Sequence, residues 1–126
     1  MPNILTPMGN RRQLIQHNGK TIILHDYTGL SGQAYIDAVE YNGRAGELLQ
    51  LHDRMILMDV TDSIVDKEIM KVFKRVSKKA SPNLSKTAVV GATGIQKMFL
   101  QTVAAFANLE VKTFDNRNDA VIWLSK

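Results

Sequence analysis

The chain has 126 residues, 44% of them hydrophobic, and its 16 basic and 12 acidic side chains leave a net charge of +4. That length fits one domain, able to bury roughly two thirds of its unfolded surface and to fold alone. Cysteine is absent, which removes disulfides, thiol nucleophiles and zinc–thiolate sites and fits a reducing cytoplasm, the expected location.

Residues 1–11 carry two prolines and no apolar run ahead of a small-residue cleavage site. They read as a loose N-terminal arm and not as a secretory signal, which leaves 12–126 as a single domain. Residues 12–17 read as a strand, Asn18-Gly19 as a two-residue hairpin turn, and 20–26 as the returning strand. Ser31 can cap a helix whose inner face takes Ala34, Ala38, Tyr41, Ala45, Leu48 and Leu49, with a break allowed at Gly43 and Gly46. Residues 54–60 contain the continuous apolar run Met55-Ile56-Leu57-Met58, the mark of a central strand buried on both faces. A helix follows over 66–80 and stops at Ser81-Pro82-Asn83. Residues 87–91 form another buried strand. Residues 93–108 form a helix with Ile95, Met98, Phe99, Thr102 and Phe106 in one stripe. Residues 109–114 alternate as an edge strand, and 116–124 close the chain as a helix capped by Asn116 and anchored by Trp123.

Strands that alternate with helices demand a parallel sheet with right-handed crossovers. If the strand order is sequential, most helices share one face. The buried run at 55–58 then needs a cover on the other face: the arm, the last helix, a second copy in a homodimer, or an apolar ligand. No stretch approaches the roughly 18 apolar residues of a membrane span. The charge surplus is modest, smaller and less clustered than a dedicated nucleic-acid binder shows, which argues against nucleic acid as a partner.

The opening hairpin, three helix–strand units, Asp62-Ser63 after the central strand, and the ending Val111-Lys112-Thr113-Phe114-Asp115 with Asp119-Ala120-Val121-Ile122-Trp123-Leu124 resemble the STAS group. These are anti-sigma-factor antagonist domains, and the likeness is to their small SpoIIAA-like branch, over about residues 12–125. The resemblance implies an α/β fold: a SpoIIAA-like βα superhelix, a five-stranded mixed sheet whose N-terminal hairpin is antiparallel and whose other strands are parallel, with four helices. It implies a regulatory or interaction module that binds a protein partner or a small ligand, without cofactor. It also implies a switch serine in a motif like Asp-Ser-Ser-Gly. Here the motif reads Asp62-Ser63-Ile64-Val65, so the second small residue and the glycine are missing. The related CRAL-TRIO fold supplies the alternative, carriage of a small apolar or lipid-like molecule.

Ser63 is accordingly the candidate phosphorylation switch. Its plainer role is a helix cap with Asp66 returning the bond. Ligands of open parallel sheets gather beyond the carboxyl ends of the strands, so the candidate ligand or anion rim is His25, Asp26, Asp59, Thr61, Asp62, Thr93 and Gly94. Gly91-Ala92-Thr93-Gly94 opens a helix but lacks the third glycine of a dinucleotide fingerprint, where Lys97 stands. Lys67, Lys71, Lys74 and Lys78 line one helix face, a candidate basic surface for a partner or simply a solvated face. His17, His25 and His52 show no metal-ligand spacing. A triad of Ser63, His25 and Asp26 can be written but has no nucleophile-elbow context, so no catalytic residue is assigned. An enzyme that uses His25, Asp26 or Asp59 as an acid–base site remains a third class.

Overall fold

Asn18 and Gly19 both adopt positive φ, 51° and 75°, which is what a two-residue turn between right-twisted strands needs. β1 (Arg12–His17) and β2 (Lys20–Asp26) therefore pair antiparallel, with Arg12 opposite His25. The computed structural model describes residues 11–49 and 53–126; the expected arm, apart from Arg11, and His52 lie outside the described residues. β3 (Arg54–Asp59), β4 (Leu84–Val90) and β5 (Val111–Phe114) add in parallel, in the order β1-β2-β3-β4-β5. The helices are α1 (Gly32–Leu49), α2 (Lys67–Ala80), α3 (Gly94–Ala107) and α4 (Arg117–Leu124).

Sequential order with right-handed crossovers puts α1, α2 and α3 on one face of the sheet. There Tyr35, Val39, Ile69, Phe73, Phe99 and Val103 meet Ile23, Ile56, Met58 and Val89. Rings of Tyr27, Tyr35, Phe73 and Phe99 form an edge-packed chain with centroids 5.3–5.7 Å apart, each pair worth about 1 kcal/mol beyond its burial. The opposite face presents Ile22, Leu24, Leu57, Ala88 and Val90, and α4 covers it with Ala120 and Leu124. Of the covers considered, the last helix is in place. Apolar cover on both sides is why residues 55–58 read as an unbroken apolar run.

Four local expectations are corrected. The inner face of α1 is Tyr35, Ala38, Val39, Asn42 and Gly46, while Ala34 is exposed; the helix rotates to give its tyrosine, not its first alanine, to the core. It does not break at its glycines, because each makes room for a neighbour. A Cβ at Gly43 would lie 2.8 Å from Cγ1 of Val76 on α2, and one at Gly46 would collide with the Arg54 guanidinium. In α3 the stripe of Ile95, Met98 and Phe106 faces solvent, and the buried side is Gln96, Phe99, Leu100, Val103 and Ala107. β4 also begins earlier than expected, at Leu84 instead of Thr87, directly after the 3₁₀ turn Ser81–Asn83.

Candidate functional site

The carboxyl ends of β2 and β3 carry the same short device. Asp26 Oδ1 accepts from the amide (3.0 Å) and hydroxyl (2.7 Å) of Thr28, and Asp59 Oδ1 does the same with Thr61 at the same distances. The two aspartates are register partners on neighbouring strands. Arg117, from the first turn of α4, clamps both: its Nε donates to Asp59 at 2.8 Å, and its Nη2 lies 3.5 Å from Asp26. Arg11 adds hydrogen bonds to the Asp26 and Thr28 carbonyls. Burial pushes the Asp59 carboxyl up, but the Thr61 hydroxyl, Arg117 and the Thr61 amide outweigh it and hold the group below its usual range. Both rim acids are thus occupied by the fold's own donors.

The loops after β3 and β4 lie side by side. Val60 donates its amide to the Val90 carbonyl, and Gly91 holds φ +81° with Thr61 pressed against its Cα, where a Cβ would collide. Gln96 joins the two loops. Its Oε1 accepts from the Thr93 amide at 2.8 Å, and its Nε2 donates to the Ser63 carbonyl (2.9 Å), the Ser63 hydroxyl (3.1 Å) and the Val60 carbonyl (3.3 Å). Thr93 is the N-cap of α3, with Gly94 following in the open. Asp62 is exposed, at positive φ in the turn.

Ser63 does not cap α2. Asp66 does, accepting from the Ile69 amide at 2.9 Å. Ser63 is only 8% exposed; its hydroxyl donates to the Val60 carbonyl at 2.8 Å and meets the Tyr35 hydroxyl at 3.2 Å. Tyr35 is itself held protonated, its pKa pushed up to about 12 by burial against the opposing pull of Ser63. A phosphoryl group fits there only if the loop opens and Gln96 lets go.

His25 and Asp26 are consecutive in β2, so their side chains leave opposite faces of the sheet. Asp26 faces Arg117, whereas His25 lines a cavity on the helix side with Arg12, Tyr27, Asn42 and Arg54. The triad of Ser63, His25 and Asp26 is therefore not assembled, and the rim residues divide between two surroundings. Burial first, then the charges of Arg12 and Arg54, push the His25 imidazole down to about 3, so it is neutral in the fold. Among the described residues no group of three or more histidine, aspartate or glutamate side chains is placed to hold a metal. No helix among them is long and apolar enough to cross a membrane.

On α2, Lys67, Lys71 and Lys78 are exposed and Lys74 is half-buried, while Ile69 and Phe73 face the core. Arg75 and Lys79, beside them, pair with Glu40 and Glu47 of α1 at 3.0 and 2.9 Å. Lys78 and Lys74 approach the Phe106 ring of α3, 4.6 and 5.6 Å from its centroid. Sequence reading missed Arg117, Gln96, Tyr35, Arg12, Arg54 and Asn42. The repeated Asp-x-Thr at 26–28 and 59–61 was a legible signal for the paired rim turns.

A model of the SpoIIAA-like family matches residues 10–125. Among solved structures, an uncharacterised DUF3478-family protein with a SpoIIAA-like fold from Shewanella loihica PV-4 superposes with a TM-score of 0.69 at 16% identity, covering 90% of this chain and 91% of its own. An anti-sigma-factor antagonist (STAS) domain protein from Planctomyces limnophilus superposes at 0.60 and 11% identity, covering 91% and 98%. No curated protein matches the sequence at a significant level.

Proposed function

The chain belongs to the SpoIIAA-like family, and from that premise we propose that it is a non-enzymatic regulatory module that docks a protein partner at the α2–α3 end of the sheet's carboxyl edge. One observation carries this reading. Ile64, Ile95 and Met98 are 66%, 81% and 69% exposed, and Ile95 and Met98 line an open groove with Val65, Met70 and Ala105. Large apolar side chains gathered on one surface mark interaction sites more often than scattered ones do. Lys67 lies in the groove beside Asp66, and Lys71, Lys74 and Lys78 border the adjoining depression around Phe106, so the chemistry suits an amphipathic segment whose acidic residues flank its apolar ones on the α2 side.

The lipid-carrier alternative finds less support. The cavity between sheet and helices measures about 70 Å³, against the roughly 300 Å³ or more of pockets that enclose a drug-sized ligand. The test of the docking reading is affinity capture with the wild-type chain and an Ile95→Asp/Met98→Asp variant, both folded by circular dichroism. A partner held by the first and released by the second supports it. Equal capture by both, or amide shifts from the partner that map away from α2 and α3, refutes it.

A further inference from the structure

Every buried side-chain polar atom without a hydrogen-bond partner among the described residues belongs to a residue around one cavity. These atoms are Nε and Nη2 of Arg12, Nε of Arg54, Oδ1 of Asn42 and Oγ1 of Thr87. Asn42, Arg54 and Thr87 are each more than nine-tenths buried. The cavity lies between the sheet and helices α1 and α2. Among the described residues, no aspartate or glutamate lines it. Glu47, whose charge raises the Arg54 pKa, shares an outer depression with Arg54 and pairs there with Lys79.

The unfilled groups are donor-rich: two guanidiniums and a hydroxyl against one amide oxygen. Buried polar groups are normally paired, and buried charges more strictly so. An unpaired cluster of this kind needs an explanation, and an acceptor-rich anion supplies one. The rest of the wall is mostly apolar, chiefly Val39, Ile56, Phe73, Val76 and Leu84, with His25, Tyr27 and Ser77 among them. A volume of about 70 Å³ is roughly five times the minimum for one water, enough for a solute of a few heavy atoms.

We infer that this cavity binds a small organic carboxylate, its headgroup on Arg12 and Arg54 and its short apolar tail against Ile56, Phe73 and Val76. Planar carboxylate oxygens match the fork of N–H donors on arginine. Thr87 can turn its hydroxyl to the same headgroup. The outer depression, lined by Glu40, Arg44, Glu47, Arg75 and Lys79, adjoins the cavity and shares Gly43, Arg54, Val76 and Ala80 with it. Arg54 stands between the two, its guanidinium seated on Gly46. The inference is independent of partner docking, which uses a different groove.

The probe is sodium propionate, with sodium chloride at equal ionic strength as control. Propionate raises the unfolding temperature saturably and shifts the backbone amides of His25, Asn42 and Thr87, while chloride does neither. Arg12→Met and Arg54→Met each weaken the response about tenfold or more. Their ligand-free forms are at least as stable as the parent, because each has lost an unpartnered buried charge. Arg12→Lys, which keeps the charge but not the fork, falls between. The inference is overturned by a response equal to that of chloride, by a propionate-grown crystal with only water in the cavity, or by methionine variants that fail to fold.

Discussion

Acid should weaken this protein through one imidazole. His25 is pressed against the cavity with Arg12 arriving from β1 and Arg54 from β3, and its pKa falls from 6.5 to about 3. Unfolded, the same imidazole titrates near 6.5. A depressed histidine binds its proton in the unfolded chain before it does in the fold, so stability is full above about pH 6.5 and declines as pH falls toward 3. The slope approaches about 1.4 kcal/mol per pH unit, which accumulates to about 2 kcal/mol between pH 7 and pH 5. Throughout that window the folded imidazole stays neutral, since about 3 lies well below pH 5. Urea unfolding at pH 7, 6 and 5 reads the loss as a falling midpoint, and His25→Gln, which cannot titrate, should flatten it. Wild type and His25→Gln losing stability in parallel over this range would refute the reasoning.

Ser63→Ala removes a buried hydroxyl from Gln96, Tyr35 and the Val60 carbonyl and should cost about 1 kcal/mol in urea. Ser63→Asp places a carboxylate beside that carbonyl and should cost roughly 3 kcal/mol; a loss no larger than alanine's would mean the loop opens freely. Arg117→Leu leaves Asp59 with Thr61 alone and should cost about 1–2 kcal/mol at neutral pH, discounted because the arginine side chain is 43% exposed. The depressed carboxyl gives its stability above its unfolded value of 3.8 and loses it below, so the difference between Arg117→Leu and wild type should shrink in acid melts. Gly91→Ala forces φ +81° on a side chain that meets the Thr61 backbone at 2.9 Å and should lose at least about 2 kcal/mol; a wild-type melting temperature would show that the two rim loops are not held together.

The fold was legible where its causes are local. Asn18-Gly19 selects its turn by its own φ angles, and an unbroken apolar run at 55–58 requires cover on both faces whatever surrounds it. Periodicity could not say which side of α3 faces inward, because its sequence carries two overlapping stripes. The stripe with Gln96 won, since that side chain closes the Ser63 loop 33 residues earlier, while Ile95 and Met98 stayed out. The Ser63 cap failed for a related reason: Asp66, three residues on, was the better-placed acceptor for the helix, and the serine was drawn inward by Tyr35 from α1. Asn42 gave no sign of facing the core, because its partner, the Tyr27 hydroxyl at 2.9 Å, lies 15 residues back on another element. The meeting of Arg12, His25 and Arg54 around one cavity draws on three strands, with Arg54 four residues before the Met58 that pairs His25, and leaves no trace in any one segment.

Charge pairing distinguishes the two polar regions more sharply than position does. At the rim, where ligands of open parallel sheets usually gather, Asp26 and Asp59 are held by Thr28, Thr61 and Arg117. Bringing a ligand cation there would mean displacing an arginine already in place. Beneath the sheet the situation is reversed: Arg12 and Arg54 carry desolvated N–H groups without a hydrogen-bond partner, among the described residues no acid lines the cavity they share, and desolvation is the first cause that lowers both of their pKa values. A ligand that enters there displaces no protein contact and supplies the missing acceptors. The same alternation that sends Asp26 to one face and His25 to the other separates the filled valences from the open ones. The small-molecule chemistry we infer for this chain therefore lies one residue before the rim, on the helix side, apart from the exposed Ile64, Ile95 and Met98 proposed for a protein partner.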